Sequence, residues 1–229
     1  MKRILVGIIL LGILGVFVGC AAGVSLSETE QPSHEVVYFS STPPWANSIA
    51  ELEEDSQYVV IGTVKSLNSV RISQEEMTGK KPDYESLTIM TRCQFEVSRC
   101  YKGDLKVGDE IEFDVLGGTV GNLTERYWEE DSDFQEGLSY LIFLSEPKYS
   151  QNFNYGKIYP YNVYQGVLEV YGNHMLAHRY GNLWKRPEGD FAKLSKAERA
   201  KSSYTVEEVK LMIMEAMKEN ANMNTTKEE

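Results

Sequence analysis

The chain has 229 residues, 34 of them acidic and 23 basic, for a formal net charge of -11. Phosphate recognition needs concentrated lysine and arginine, so this balance argues against a nucleic-acid partner and against electrostatic docking on anionic lipid. Hydrophobic residues make up 42% of the chain, enough for one β-domain with appendages or at most two small domains. Of the three cysteines, Cys93 and Cys100 fall within one predicted strand, roughly 23 Å apart at strand rise. A disulfide between them would need a sharp bend, and the plainer reading is two small buried apolar residues.

Met1-Lys2-Arg3 is a short basic start, and Ile4–Val18 is an unbroken apolar and glycine run. The run is short for a bilayer span and suits the h-region of an export signal. It ends Phe17-Val18-Gly19-Cys20, which resembles the bacterial lipobox, although that pattern prefers leucine where Phe17 stands. The resemblance implies cleavage before Cys20, diacylation of its thiol (with palmitate or a similar acyl chain), and a membrane-anchored lipoprotein at the cell surface, on the extracytoplasmic face of a bacterial cell membrane. Two acyl chains hold a protein firmly where one does not. Residues 1–19 are then the signal peptide, and 20–42, rich in Ser, Thr, Glu and Pro, a solvated tether. Val36–Phe39 is the exception, either a short edge strand or the first contact of the tether with the domain. His34 is assigned no role.

Residues 43–190 are expected to form the folded domain. Pro43-Pro44 opens a predicted helix over Trp45–Glu54, with Ser41 or Thr42 as N-cap. Trp45, Ile49 and Leu52 form its apolar stripe, and Glu51, Glu53 and Glu54 its solvated face. Gln57–Val70 is the predicted organising strand. Tyr58–Ile61 has no polar face and needs cover on both sides, Gly62 marks a bend or bulge, and the second half is wetter. Val64, Ser66 and Asn68 share one parity there, Lys65 and Leu67 the other. A long first strand curling at a glycine suits a small closed barrel, because it pairs at both ends.

Ser73–Glu85 reads as a loop. Leu87–Tyr101 alternates as a half-buried strand with Leu87, Ile89, Cys93, Phe95 and Val97 inward. Glu110–Val115 follows, with Ile111, Phe113 and Val115 inward, Glu112 and Asp114 outward, and Gly117-Gly118 ending it. Thr119–Gly137 is long for a connection, and long loops are often functional. Leu138–Leu144 is apolar on both faces and is expected to be central. Val163–Tyr171 and His174–Arg179 flank Gly172-Asn173, a two-residue hairpin loop. Residues 191–229 hold a predicted helix over Tyr204–Glu219, with Thr205 and Glu208 as capping box and Val206, Val209, Ile213, Ala216 and Met217 inward. Asn220–Glu229 is expected to fray.

Three pieces, V-V-I-G-T-V (59–64), C-Y-K-G-D (100–104) with V-G-D-E-I (107–111), and G-L-S-Y-L-I-F-L (137–144), resemble in order and spacing the netrin-like modules. That group includes the inhibitory domain of the tissue inhibitors of metalloproteinases (TIMP-like). The chain is similar, more closely still, to uncharacterised bacterial lipoproteins with this strand pattern. The resemblance covers roughly Ala50 to Tyr171 and implies a five-stranded OB-type barrel (OB-fold); with the two helices read from periodicity, the expected fold is mainly β, with a short N-terminal helix and a C-terminal amphipathic helix. The inhibitors' mechanism does not carry over: a free cysteine at the domain start reaches the protease zinc there, whereas Cys20 here lies far upstream and the disulfide framework is missing.

Chemical motifs are sparse. Asp131-Ser132-Asp133 begins like a calcium loop, but Glu136 stands where glycine is needed and Ile142 where the bidentate acid belongs. Glu129, Glu130, Asp131 and Asp133 read as a solvated acidic loop, with a weak cation site as the alternative. His174 and His178 share a strand face roughly 13 Å apart, too far to chelate one metal. No nucleophile elbow, P-loop or C-x-x-C occurs, so no cofactor is assigned and the chain is read as no enzyme. The tyrosines Tyr149, Tyr155, Tyr159, Tyr161 and Tyr164 are the ligand-binding candidates, as rings with polar tips suit sugars and peptides. Their alternative role is to pack under a long loop and cap the barrel. The expected function is a non-catalytic binding module, tethered to the membrane by an N-terminal diacylglycerol, whose partner is an envelope protein or glycan. Its rivals are an envelope-polymer hydrolase using an acidic pair and an inhibitor of a surface protease.

Overall fold

The computed structural model describes residues 35–39, 46–73, 75, 87–127, 134–145, 159–160, 165–177, 183–185, 187–190 and 193–227. The described residues form a mainly β fold with three helices long enough to bound. Its axis is β2 (Tyr58–Ser73), which pairs antiparallel along its whole length with β3 (Leu87–Lys102). Only its first part, Tyr58–Thr63, also pairs with β7 (Ser139–Ser145). Register shifts at Val59/Val60, Ile61/Gly62 and Val64/Ser66 interrupt this ladder, the first two with the extra residue (Tyr101, Ser98) in β3 and the third with Lys65 extra in β2, and such bulges bend the paired strands. Gly62 sits at one of them for want of space: a Cβ there would lie 2.3 Å from the Glu96 carbonyl oxygen and 2.4 Å from Phe95 Cε1.

Beyond β3 lies β4 (Glu110–Leu116). On the other side of β7 the sheet continues through β9 (Val167–Tyr171), β10 (His174–Ala177) and β11 (Tyr204–Thr205). β8 (Tyr159–Pro160) pairs with the end of β7 and lies against β4, so the sheet curls round toward its own edge. No ladder joins β4 to β8 or to β11 among the described residues, and the expected five-stranded barrel does not close. The reason is visible at β7. Its outer edge is taken by β9 at Tyr140–Ile142, and that strand carries the sheet outward instead of back to β4.

A second sheet covers one end. β5 (Gly118–Val120) and β6 (Leu123–Tyr127) form a hairpin, and β1 (Glu35–Phe39) lies parallel along β6. Val36–Phe39 is therefore the edge strand, and the first part of the expected loop 119–137 is regular structure.

The curl gives the sheet two cores. Val59, Ile61, Leu141 and Phe143 face the helices, where Leu52, Val209 and Ile213 meet them. Val60, Val64, Cys93, Phe95, Phe113 and Ile142 fill the inside of the curl. Both faces of Tyr58–Ile61 are thus covered, and β7 is as central as its apolar run requires. Leu87, expected inward, is 50% exposed at the start of β3.

Helix α1 (Ile49–Glu54) starts later than predicted, because the Ser48 hydroxyl accepts from the Glu51 N–H at 3.1 Å and caps it; Ser41, Thr42 and Trp45 lie outside the described residues. Ahead of it, Gln165 clasps Ala46, accepting its N–H at 2.9 Å and donating to its carbonyl at 3.0 Å. Glu53 was expected in solvent and is 2% exposed, with the Lys102 ammonium 2.8 Å from Oε1. Helix α2 (Lys196–Lys201) was not foreseen, although Ser195 and Glu198 form a capping box before it. Helix α3 (Val206–Lys227) begins at the predicted box: the Thr205 N–H donates to Glu208 at 2.7 Å and the Glu208 N–H to the Thr205 hydroxyl at 3.2 Å. It does not fray at Asn220. That side chain is buried and donates to the Ala50 carbonyl at 2.9 Å and to Glu53, which holds the next turns in register. Asp114 was expected outward and is fully buried, its Oδ1 3.1 Å from Arg92 Nε.

Candidate functional site

A cleft of about 240 Å³ opens where the β5–β6 hairpin lies over the end of the curled sheet. Four hydroxyl residues on four strands line it: Ser69, Thr91, Thr119 and Thr124. The Thr91 hydroxyl donates to the Gly117 carbonyl at 2.7 Å and stands 2.8 Å from Ser69 Oγ. A hydroxyl has one proton, so Ser69 donates to Thr91 in this relay. Thr119 and Thr124, opposite each other in the hairpin register, share a hydrogen bond of 2.7 Å.

Gly118 makes this approach possible. Its φ of +134° is one L side chains rarely adopt, and a Cβ would fall 2.2 Å from Thr91 Oγ1 and 2.4 Å from Ser69 Oγ. The sequence reading of Gly117-Gly118 as the end of a strand was right about position and missed this purpose. Glu125, opposite Gly118 on β6, is 6% exposed. The β3–β4 ladder stops at Met90↔Leu116, which would leave the Ile89 N–H unpaired. Glu125 accepts it at 2.8 Å, while the Gly117 N–H donates to the Ile89 carbonyl at 2.8 Å. The backbone around the cleft is thereby satisfied, as buried amides require. Arg126 is exposed at the same place.

The apolar part of the lining is Leu67, Val115, Leu116 and Phe134. Phe134 sits within a chain of edge-on rings, 5.4 Å from Phe113 and 4.9 Å from Tyr140, with Phe113 in turn 5.8 Å from Phe95. Such T-shaped pairs fix ring orientation. Tyr140 also accepts the Gln135 N–H at 3.0 Å, which holds the chain just after Phe134. The cleft floor is therefore rigid, and its hydroxyl wall can rotate.

Of the residues singled out in the sequence, Cys20, Tyr149, Tyr155, Tyr161 and Tyr164 lie outside the described residues, as do Glu129, Glu130, Asp131, Asp133 and His178. For Tyr159 the backbone alone is described, in β8. Cys93 and Cys100 are both free thiols, the first buried and the second half-buried. Burial pushes the Cys93 thiol up to about 12, and burial raises Cys100 as well, so both sit in the protonated, unreactive form. His174 is on β10 with Nδ1 buried and unbonded among the described residues. Among the described residues no group of His, Cys, Asp and Glu side chains is arranged to hold a metal ion. No helix of the described residues is long and apolar enough to cross a membrane.

Sequence reasoning pointed at the segment Thr119–Gly137, which holds Thr119, Thr124, Glu125, Arg126 and Phe134 of the lining, but gave no site role to those side chains or to Ser69 and Thr91. Serines and threonines carry no signal in a single sequence, and the glycine pair was the one mark available. Comparison of the chain with family models, with curated proteins and with solved structures finds no match in any of the three.

Proposed function

We propose that the chain is a non-catalytic binding module, held at the outer face of a bacterial membrane by diacylation of Cys20, and that its ligand occupies the cleft under the β5–β6 hairpin. The observation that carries this reading is the build of the cleft: rotatable hydroxyls from four strands over a fixed apolar floor, at the mouth of a curled sheet. Small-molecule sites favour this position and composition. The lipobox-like Phe17-Val18-Gly19-Cys20 supports the address. Kinship with the netrin-like modules draws support from the strand adjacency β7-β2-β3-β4 and from the glycine-curled β2. In this reading the OB-type closure is replaced by the outward run through β9. The hydrolase alternative needs two facing carboxylates, and Glu125 is the one acid lining the cleft among the described residues, already engaged with Ile89.

Two measurements test the proposal. In cells fed an alkyne-tagged palmitate, the full chain is expected to carry label that Cys20→Ala removes; unlabelled wild type rejects the anchor. In a fragment screen by amide NMR on the detergent-solubilised full chain, small polar compounds are expected to shift the amides of Leu67, Thr119 and Thr124. A library that leaves all three unmoved rejects the cleft as a binding site.

A further inference from the structure

We infer that the cleft takes one uncharged sugar ring, an inference that rests on the cleft being the ligand site proposed above. Size sets the first bound. At about 240 Å³ the space falls below the roughly 300–1,000 Å³ of pockets that take drug-sized ligands, which leaves room for a single ring and its substituents. Charge sets the second. The lining carries one carboxylate, Glu125, and one guanidinium, Arg126, and the chain around it has a net charge of -11. An anionic ligand would meet one cation inside a negative field, and a cationic one would meet a carboxylate already bound to a backbone amide. A neutral ligand meets neither penalty.

Polar chemistry narrows the class further. A peptide in extended form needs a free row of N–H and C=O groups to pair with. The two backbone groups of Ile89 beneath the cleft are taken by Glu125 and Gly117, so β3 offers no main-chain pairing there. Side chains with hydroxyls, Ser69, Thr91, Thr119 and Thr124, line the cleft. Each is donor and acceptor and can turn, so a ring hydroxyl can enter the Thr119–Thr124 pair or the Ser69–Thr91 pair without leaving a polar atom stranded. The ligand is thus itself rich in hydroxyls. Phe134, Leu67 and Val115 lie on the apolar side, where the C–H face of a pyranose fits and a fully polar ligand such as phosphate does not. Ring hydroxyls toward the threonines and ring C–H groups toward Phe134 give the ligand one orientation, with Arg126 beside its outward edge.

The test is an amide NMR titration of the solubilised full chain with methyl glucoside, methyl galactoside and N-acetylglucosamine as probes, and with neutral amino acids and small aromatic alcohols as comparators. The expected result is saturable shifts at Leu67, Thr119, Thr124 and Arg126 with at least one sugar, weakened about three- to tenfold by Thr124→Val, the loss of one neutral hydrogen bond. Arg126→Ala, at an exposed position where folding is not at risk, is expected to weaken the same sugar while leaving the thermal midpoint in place. Comparators that shift these amides while no sugar does overturn the sugar class and leave the binding site standing. Sugar shifts untouched by both substitutions place the sugar elsewhere and overturn the inference. Silence from every probe overturns both readings.

Discussion

Lys102→Met is expected to destabilise the fold far more than its position at a strand end suggests. The Lys102 ammonium reaches the Glu53 carboxylate at 2.8 Å and the Glu53 carbonyl at 2.7 Å, joining β3 to the end of α1. The Glu53 side chain is 3% exposed and that of Lys102 is 27% exposed. Removing the cation strands a buried carboxylate with the Asn220 amide as its remaining partner among the bonds described, and such one-sided deletions cost about 3–5 kcal/mol. Removing the anion by Glu53→Gln is milder, because a partly exposed ammonium can turn to water; one hydrogen bond, about 1 kcal/mol, is the scale. Replacing both, as Glu53→Leu with Lys102→Met, removes the desolvated charges together and is expected to fall within about 1 kcal/mol of wild type. For a fold of this size a loss of about 3 kcal/mol lowers the melting midpoint by about 6–12 °C. Chemical denaturation of the wild type, the two single variants and the double variant gives the cycle. Equal and small effects of the two single changes, each under about 0.5 kcal/mol, would show that the charges are not desolvated and that the reasoning fails.

Gly62→Ala is expected to cost about 1–3 kcal/mol, since the new methyl meets the immovable Glu96 carbonyl oxygen at 2.3 Å; a urea midpoint unchanged from wild type would refute it. The Cys93 thiol, held at about 12 against an ordinary 9.0, is expected to resist alkylation at pH 8 until the chain is unfolded, with mass spectrometry as the readout. Its contribution to stability is intact below pH 9 and declines as pH climbs from there toward 12, because the unfolded thiol ionises first. The capping carboxylates Glu198 and Glu208 are held below their usual value by the Ser195 and Thr205 groups that bond them. Their stabilisation is therefore present above about pH 4.5 and lost as pH falls through the lowered values, and Thr205→Ala, which removes the hydroxyl partner of Glu208 but keeps the backbone N–H that lowers it most, is expected to shallow that acid limb only in part in circular dichroism.

Alternation told which residues share a face, and so the strands were legible. Val59 and Ile61 against Val60 and Val64 did separate onto two sides. What alternation does not tell is what covers a face. Glu53 and Asp114 both sit at positions whose parity or period reads as solvent, and both are buried with a cation brought from elsewhere in the fold: Lys102 from the far end of β3, and Arg92 from the neighbouring strand. The run of α3 past Glu219 was hidden for the same reason. Asn220 is a weak helix former, and its value lies in Ala50 and Glu53, some 170 positions away.

The cleft shows the limit most clearly. On β2 the residues inside the curl are Val60 and Val64, of even number, and then Leu67, of odd number, with Ser69 at the cleft. The switch happens at the third bulge, where Val64 pairs with Phe95 and Ser66 with Gln94, leaving Lys65 as the extra residue. A one-residue slip turns every later side chain to the other face. Without it Lys65, now salt-bridged to Glu96 at 2.6 Å outside, would continue the alternation, and Ser69 would point away from Thr91. No glycine or proline marks that bulge in the sequence, so the parity written for Val64, Ser66 and Asn68 was carried on past the place where it inverts. The hydroxyl wall therefore depends on an irregularity that local composition does not announce, and Gly118, which is announced, is the residue that lets the opposite wall come close enough to use it.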